Sequence, residues 1–171
     1  LSFNNGTKIS SWILFKIIKF NLLNRTSIKH LNSIIKENQK WKVLDVGCGY
    51  RAHPKASVIA DVQDLSNYYK ERKFIKINEK KFPFKDKEFD LVISLHVIHS
   101  LRFFDLKKAL FEIGRVGKQA YVVVESYRNE EELVNLQCWA TVCECFFDVD
   151  EWIYIFNEFG YVGDYEFVFF E

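Results

Sequence analysis

Val43-Leu44-Asp45-Val46-Gly47-Cys48-Gly49 decides the reading of this chain. A short apolar, β-branched run passes straight into a turn holding two glycines, the signature of a strand that ends at a ligand-facing loop. Gly47 and Gly49 lack the Cβ atoms that would keep a ligand off the backbone. The run opens at Trp41, and comparable runs follow at Ser57–Ala60, Phe74–Ile77, Phe89–Ser94 and Ala120–Val124. Each is nearly continuous in apolar character, as parallel strands buried on both faces are.

Helical stretches alternate with these runs. Ser11 to Lys36 repeats apolar residues at helical spacing and reads as one or two basic amphipathic helices. Asp105 reads as the cap of a helix running to Gly114. Asn129 heads a second, whose three glutamates suit the positive end of the helix dipole. Asp148 and Glu151 spell a capping box, Phe147 is placed to staple onto Trp152, and Gly160 stops that helix. Tyr165 to Phe170 reads as a final edge strand. Strand and helix in alternation predict an α/β fold, a doubly wound, open sheet in three layers with right-handed crossovers. Ligands of such sheets bind beyond the carboxyl ends of the strands. We divide the chain into a basic helical flank at 1–40 and a single α/β domain at 41–171.

Composition narrows the class. The chain has 171 residues with 49% apolar and 27% charged, which suits one globular domain. Its net charge of +1 hides a gradient: +6 over 1–40, +6 over 41–124 and −11 over 125–171. An acidic tail and the lack of a basic stripe exclude a nucleic-acid partner. The four cysteines show no zinc-ligand spacing, so no metal is expected and the thiols read as reduced, in a cytoplasmic protein. Trp12–Leu23 is interrupted by Lys16, Lys19 and Asn21 and is too polar to span a bilayer. Peripheral membrane contact through residues 12–23 stays open without being favoured. The chain opens on Leu and contains no Met, so Leu1 is not assumed to be the start.

With Ala52, the glycine spacing also fits a relaxed dinucleotide fingerprint. A pyrophosphate, however, needs a helix N-terminus directly after the turn. Only Tyr50–Ala56 separate the turn from the next strand, and Pro54 forbids a regular helix there. Asp61 follows Gly47 by 14 positions, short of the roughly 20 that a dinucleotide site uses. A nucleoside ligand without phosphates fits better.

At this point the residues resemble a known family. Val43–Gly49 is similar to the first motif of class I S-adenosylmethionine-dependent methyltransferases of the small-molecule, type 11-like branch. The likeness continues in order through Asp61, the segment Phe82–Asp90, Ser94–Ile98 and Glu112–Val116, covering about residues 41–126. The resemblance implies a Rossmann-like, mostly parallel sheet of order 3-2-1-4-5 with an antiparallel final strand. It implies S-adenosyl-L-methionine as cofactor. Asp45, Gly47 and Gly49, with Cys48 inside the turn, would line its methionine end. Asp61 would take the two ribose hydroxyls, with Val62 beside it. Asn78 and Glu79 would stand at the adenine amino group, and Ser94, Leu95 and His96 beneath the sulfonium.

Two departures stand out. The segment after the glycines is short, so the first crossover is a loop or a single turn. The family's His-Val-Ile-Glu-His pattern reads here His96-Val97-Ile98-His99-Ser100, matching only at the first histidine. Where the acceptor is a hydroxyl, His96 or His99 is the natural base. Glu125, Tyr127 and Arg128 follow the fifth strand at the site edge, as substrate contacts or as surface. The implied activity is methyl transfer to a small molecule, such as a sugar or another metabolite hydroxyl. The alternative is a binding module that keeps the cofactor pocket without catalysis. The acceptor and the oligomeric state are left open.

Overall fold

The computed structural model describes residues 30–78, 81–140 and 143–171. Its strands are β1 (Val43–Val46), β2 (Val58–Asp61), β3 (Phe74–Lys76), β4 (Phe89–Leu95), β5 (Gly117–Glu125) and β6 (Asp164–Val168). Residues 30–37 are helical (α1), followed by α2 (Phe103–Val116), α3 (Glu130–Trp139) and α4 (Val149–Glu158). A single 3-10 turn, Ile98–Ser100, follows β4. The part of the predicted basic helices before residue 30 lies outside the described residues.

The sheet runs β3-β2-β1-β4-β5-β6, and every neighbouring pair is parallel. Alternate strand residues feed two cores. Leu44, Val58, Val92 and Val122 pack with Leu106 and Leu110 of α2 and Trp152 of α4. Val43, Ile59, Ile93 and Val123 pack with Leu31 and Ile35 of α1 and Leu136 of α3. The three predicted layers are therefore present.

The final strand corrects the expectation of an antiparallel edge. β6 is parallel to β5, with Tyr121 opposite Asp164 and Glu125 opposite Val168. Residues 126–163, holding α3 and α4, carry the chain back to the starting end of the sheet before β6 begins. Strand direction follows from that return. β6 also ends earlier than the predicted Phe170, because the Phe170 carbonyl accepts from Asn135 Nδ2 of α3 (3.0 Å) instead of a ladder amide.

The helix caps divide in the same way. Asp148 and Glu151 form the capping box, each side chain taking the other's amide at 2.8 Å. Phe147 meets Trp152 edge-on at 5.3 Å, and Gly160 stands past the helix end at φ +69°. Asn129 Oδ1 accepts from Glu132 N (2.9 Å) as the cap of α3. Asp105, in contrast, caps nothing. The amides of Asp105 and Leu106 both bond the Arg102 carbonyl, so α2 is already under way from Phe103. Asp105 instead pairs with Lys108 (3.2 Å) within the helix.

Candidate active site

The carboxyl ends of β1, β2 and β4 meet around the glycine turn. The amides of Gly47 (2.8 Å) and Cys48 (3.2 Å) both bond the Ala60 carbonyl and tie the turn to β2. Asp61, the last residue of β2, then holds the turn from the side. Its Oδ2 accepts from Gly49 N (2.8 Å) and its Oδ1 from Gln63 N (2.9 Å). Gly47 and Gly49 both adopt positive φ, +73° and +47°, where side-chain-bearing residues are strained. A Cβ on Gly49 would meet nothing within 4 Å, so its backbone faces open space. A Cβ on Gly47 would strike Val97 Cγ1 at 2.4 Å.

No helix follows the turn, as Pro54 requires. Two side chains hold the short crossover instead. Tyr69 Oη accepts from Ala52 N (3.0 Å) and donates to Gly49 O (2.7 Å). Arg72 reaches the carbonyls of His53 (2.9 Å) and Ala56 (2.8 Å). Nothing in the sequence pattern marks Tyr69 or Arg72, because their partners lie 16 to 20 residues away on a loop without period.

Asp45 sits behind the turn, where its Oδ2 accepts from His53 N (2.7 Å). Burial pushes its carboxyl up to about 6, despite that amide and the nearby Arg72. Burial, with Lys55 and Arg72 adding to it, drives the His53 imidazole down to about 4. Burial and the carboxylates of Asp45 and Asp61 push the Cys48 thiol up to about 12, which makes it a packing group and no nucleophile.

A cavity of about 80 Å³ opens beside the turn, walled by Gly47, Asp61, Val62, Ser94, Val97 and Ile98. Ser94 has no exposed surface, and its Oγ has no hydrogen-bond partner. A buried hydroxyl of this kind calls for an explanation, and here it borders the cavity.

The structure thus gathers Gly47, Asp61, Val62 and Ser94 on one cavity, with Gly49 tied to Asp61. Asp45 and Cys48 support the turn from behind. Leu95 turns to the opposite face, into the core with Val43 and Val123, because successive strand residues alternate sides. Asn78 is exposed just past β3, where it bridges to Lys81. Glu79 lies outside the described residues.

His96 and His99 share a partner that the sequence left between two other roles. Glu125, at the end of β5, is 1% exposed, so it is neither surface nor a direct rim contact. Its Oε1 lies 2.8 Å from His96 Nδ1. His99 Nδ1 lies against Oε2 but lacks the alignment of a hydrogen bond. Burial alone would raise the Glu125 carboxyl, yet the two imidazoles outweigh it and hold it down at about 2. Its strand-end position was visible in sequence; the pairing across 29 residues was not. His96 stands at φ +60°, a left-handed conformation rare outside glycine. His99 is anchored through its carbonyl, which accepts from the amides of Glu144 and Cys145, both at 3.0 Å. Arg128 is drawn away from the site by Glu132 and Glu171. Among the described residues, no group of three or more His, Cys, Asp or Glu side chains is arranged to hold a metal ion, and no helix is long and apolar enough to cross a membrane.

Residues 44–124 match a family model described as a methyltransferase domain. No curated protein sequence matches the chain. Among solved structures, the chain is similar to the YcgJ protein from Bacillus subtilis (22% identity, 75% of this chain and 66% of that chain, TM-score 0.57). A SAM-dependent methyltransferase from Thermotoga maritima is similar at 18% identity, over 86% of this chain and 77% of that one, with TM-score 0.61. A chain of the complex between the Haloferax volcanii Trm112 methyltransferase activator and a methyltransferase is similar at 21% identity, over 69% and 60%, with TM-score 0.54. At these identities the likeness establishes the fold. The chain spans no more than two thirds of the length of the Bacillus and Haloferax chains.

Proposed function

We propose that the chain, whose residues 44–124 match a methyltransferase-domain model, is a class I S-adenosylmethionine-dependent enzyme that transfers a methyl group to a hydroxyl of a small molecule, such as a sugar or another metabolite alcohol. The observation that carries the reading is the buried, unpartnered Ser94 Oγ on the cavity shared with Gly47 and Asp61. A polar atom waits there in an otherwise apolar recess, where an adenosyl group has both apolar surface and hydrogen-bonding atoms to offer.

The residues present fit the cofactor. Asp61 would hold its ribose: each carboxylate oxygen takes one backbone amide, which fixes its direction and leaves acceptor capacity on both oxygens for two hydroxyls. Val62 and Ile98 would flank the base, with Asn78 near its amino group. The open face of Gly49 would admit the methionine end. The cavity, at about 80 Å³, is smaller than the about 300–1,000 Å³ of whole small-molecule sites, so it would take only a part of the cofactor.

When bound, S-adenosylmethionine supplies an activated methyl carbon that passes from its sulfur to the acceptor oxygen, leaving S-adenosylhomocysteine. The chain's own work is to align and dehydrate the two reactants, which can provide most of the acceleration. His96 would take the proton that the acceptor hydroxyl loses and release it to water. The four cysteines are free thiols, which supports a reducing, cytoplasmic setting.

Calorimetric titration with S-adenosylhomocysteine, followed by a transfer screen with methyl-labelled cofactor on a panel of sugars and metabolite alcohols, tests the proposal. Binding with labelled product is expected. Binding with no product on any alcohol would favour the non-catalytic module.

A further inference from the structure

Glu125 is 1% exposed and faces His96, the base proposed for the acceptor hydroxyl. His96 lies in a left-handed backbone conformation directly after β4, held among the described residues by its amide and by its ring. Its amide bonds the Val123 carbonyl (2.9 Å), and its Nδ1 lies 2.8 Å from Glu125 Oε1. Non-glycine residues in this region persist where surrounding structure over-determines them, and such residues cluster at functional sites. The carboxylate is itself fixed from several sides. Glu125 pairs with Val168 in the sheet, its carbonyl accepts from Trp152 Nε1 (3.2 Å), and its second oxygen faces His99.

We infer that Glu125 is the positioning residue for His96: it holds the imidazole in the tautomer with the proton on Nδ1, so that Nε2 is the basic nitrogen. A carboxylate accepts only, so the nitrogen facing it must carry the hydrogen. An imidazole with its proton at Nδ1 has its lone pair at Nε2, the arrangement by which a carboxylate orients a general base. The inference rests on the reading of His96 as base and adds the residue that sets its tautomer and direction. His99 and Cys143 are the other titratable groups facing this carboxylate. His99 is 2% exposed and locked by residues 144 and 145, so it braces Glu125 while His96 keeps the exposed share of the pair.

Nitrogen-15 NMR of the histidine rings tests this without the acceptor, with His96 assigned by the signal lost in His96→Gln. In the parent protein the His96 signal is expected to report the Nδ1–H tautomer. In Glu125→Ala, which leaves no acceptor at Nδ1, it is expected to shift toward the Nε2–H form that predominates in water. An Nε2–H signal in the parent overturns the inference even if Glu125→Ala fails to fold, and so does an unchanged tautomer in a folded Glu125→Ala. Transfer by His96→Gln to the alcohol panel separates the two layers. A loss of about 100-fold or more supports the base, the scale expected of general base catalysis. Retained transfer overturns the base reading, whatever the tautomer of the parent.

Discussion

A Cβ built on Gly47 would lie 2.4 Å from Cγ1 of Val97. The turn after β1 and the loop after β4 are therefore interlocked, and the glycine serves the protein's own packing as well as any ligand. Gly47→Ala should destabilise the fold by about 1–2 kcal/mol from its left-handed φ alone, with the clash added. Val97→Ala in the same chain should recover only the clash. Urea denaturation of the two single variants and the double variant reads the coupling. Strict additivity would show that the two loops do not touch.

Asp61→Ala should weaken binding of S-adenosylhomocysteine by about 1–3 kcal/mol, through loss of charge-assisted hydrogen bonds and of the acceptor that holds Gly49 N. Calorimetry measures it directly. An unchanged dissociation constant would place the ribose elsewhere.

Asp45 carries a pH dependence. Burial pushes its carboxyl up to about 6 in the folded chain, against the ordinary 3.8 of an aspartate, so the folded state holds the extra proton between those pH values. Stability from this group is therefore greatest below pH 3.8 and is lost as pH rises through 6, by about 3 kcal/mol at neutral pH. Asp45→Asn keeps an acceptor for the His53 amide and removes the buried charge. It should melt higher than the parent at pH 8, the two converging near pH 4. Equal melting temperatures at pH 8 would show that the carboxylate is well solvated.

Asp148→Ala removes one half of the capping box and should cost about 1 kcal/mol. In a domain of this size that lowers the melting temperature by about 2–4 °C. A larger drop would mean that α4 unfolds with the sheet edge.

Where a feature rests on local chemistry, the sequence was legible. The glycine turn, the strand-end Asp61, the missing first crossover helix and the α4 capping box all rest on neighbours within a few residues, so spacing reveals them. The direction of β6 does not, since it depends on how residues 126–163 return across the sheet and not on anything in the strand itself. Asp105 misled because an acid in a first turn resembles a cap, and only the Arg102 carbonyl's two amides show where α2 starts. The family likeness groups Leu95 with Ser94 and His96, although strand alternation sends it to the other core. Glu125 was visible at a strand end, but its service to two histidines is a contact between neighbouring strands that no local pattern records.

A crystal structure with S-adenosylhomocysteine bound bears on all of this at once. The two ribose hydroxyls are expected on the Asp61 carboxylate, the adenosyl group against Val62 and Ile98, and the sulfur between the Gly47–Gly49 turn and Ser94. Ligand density away from that turn, or a ribose that does not touch Asp61, would contradict this placement.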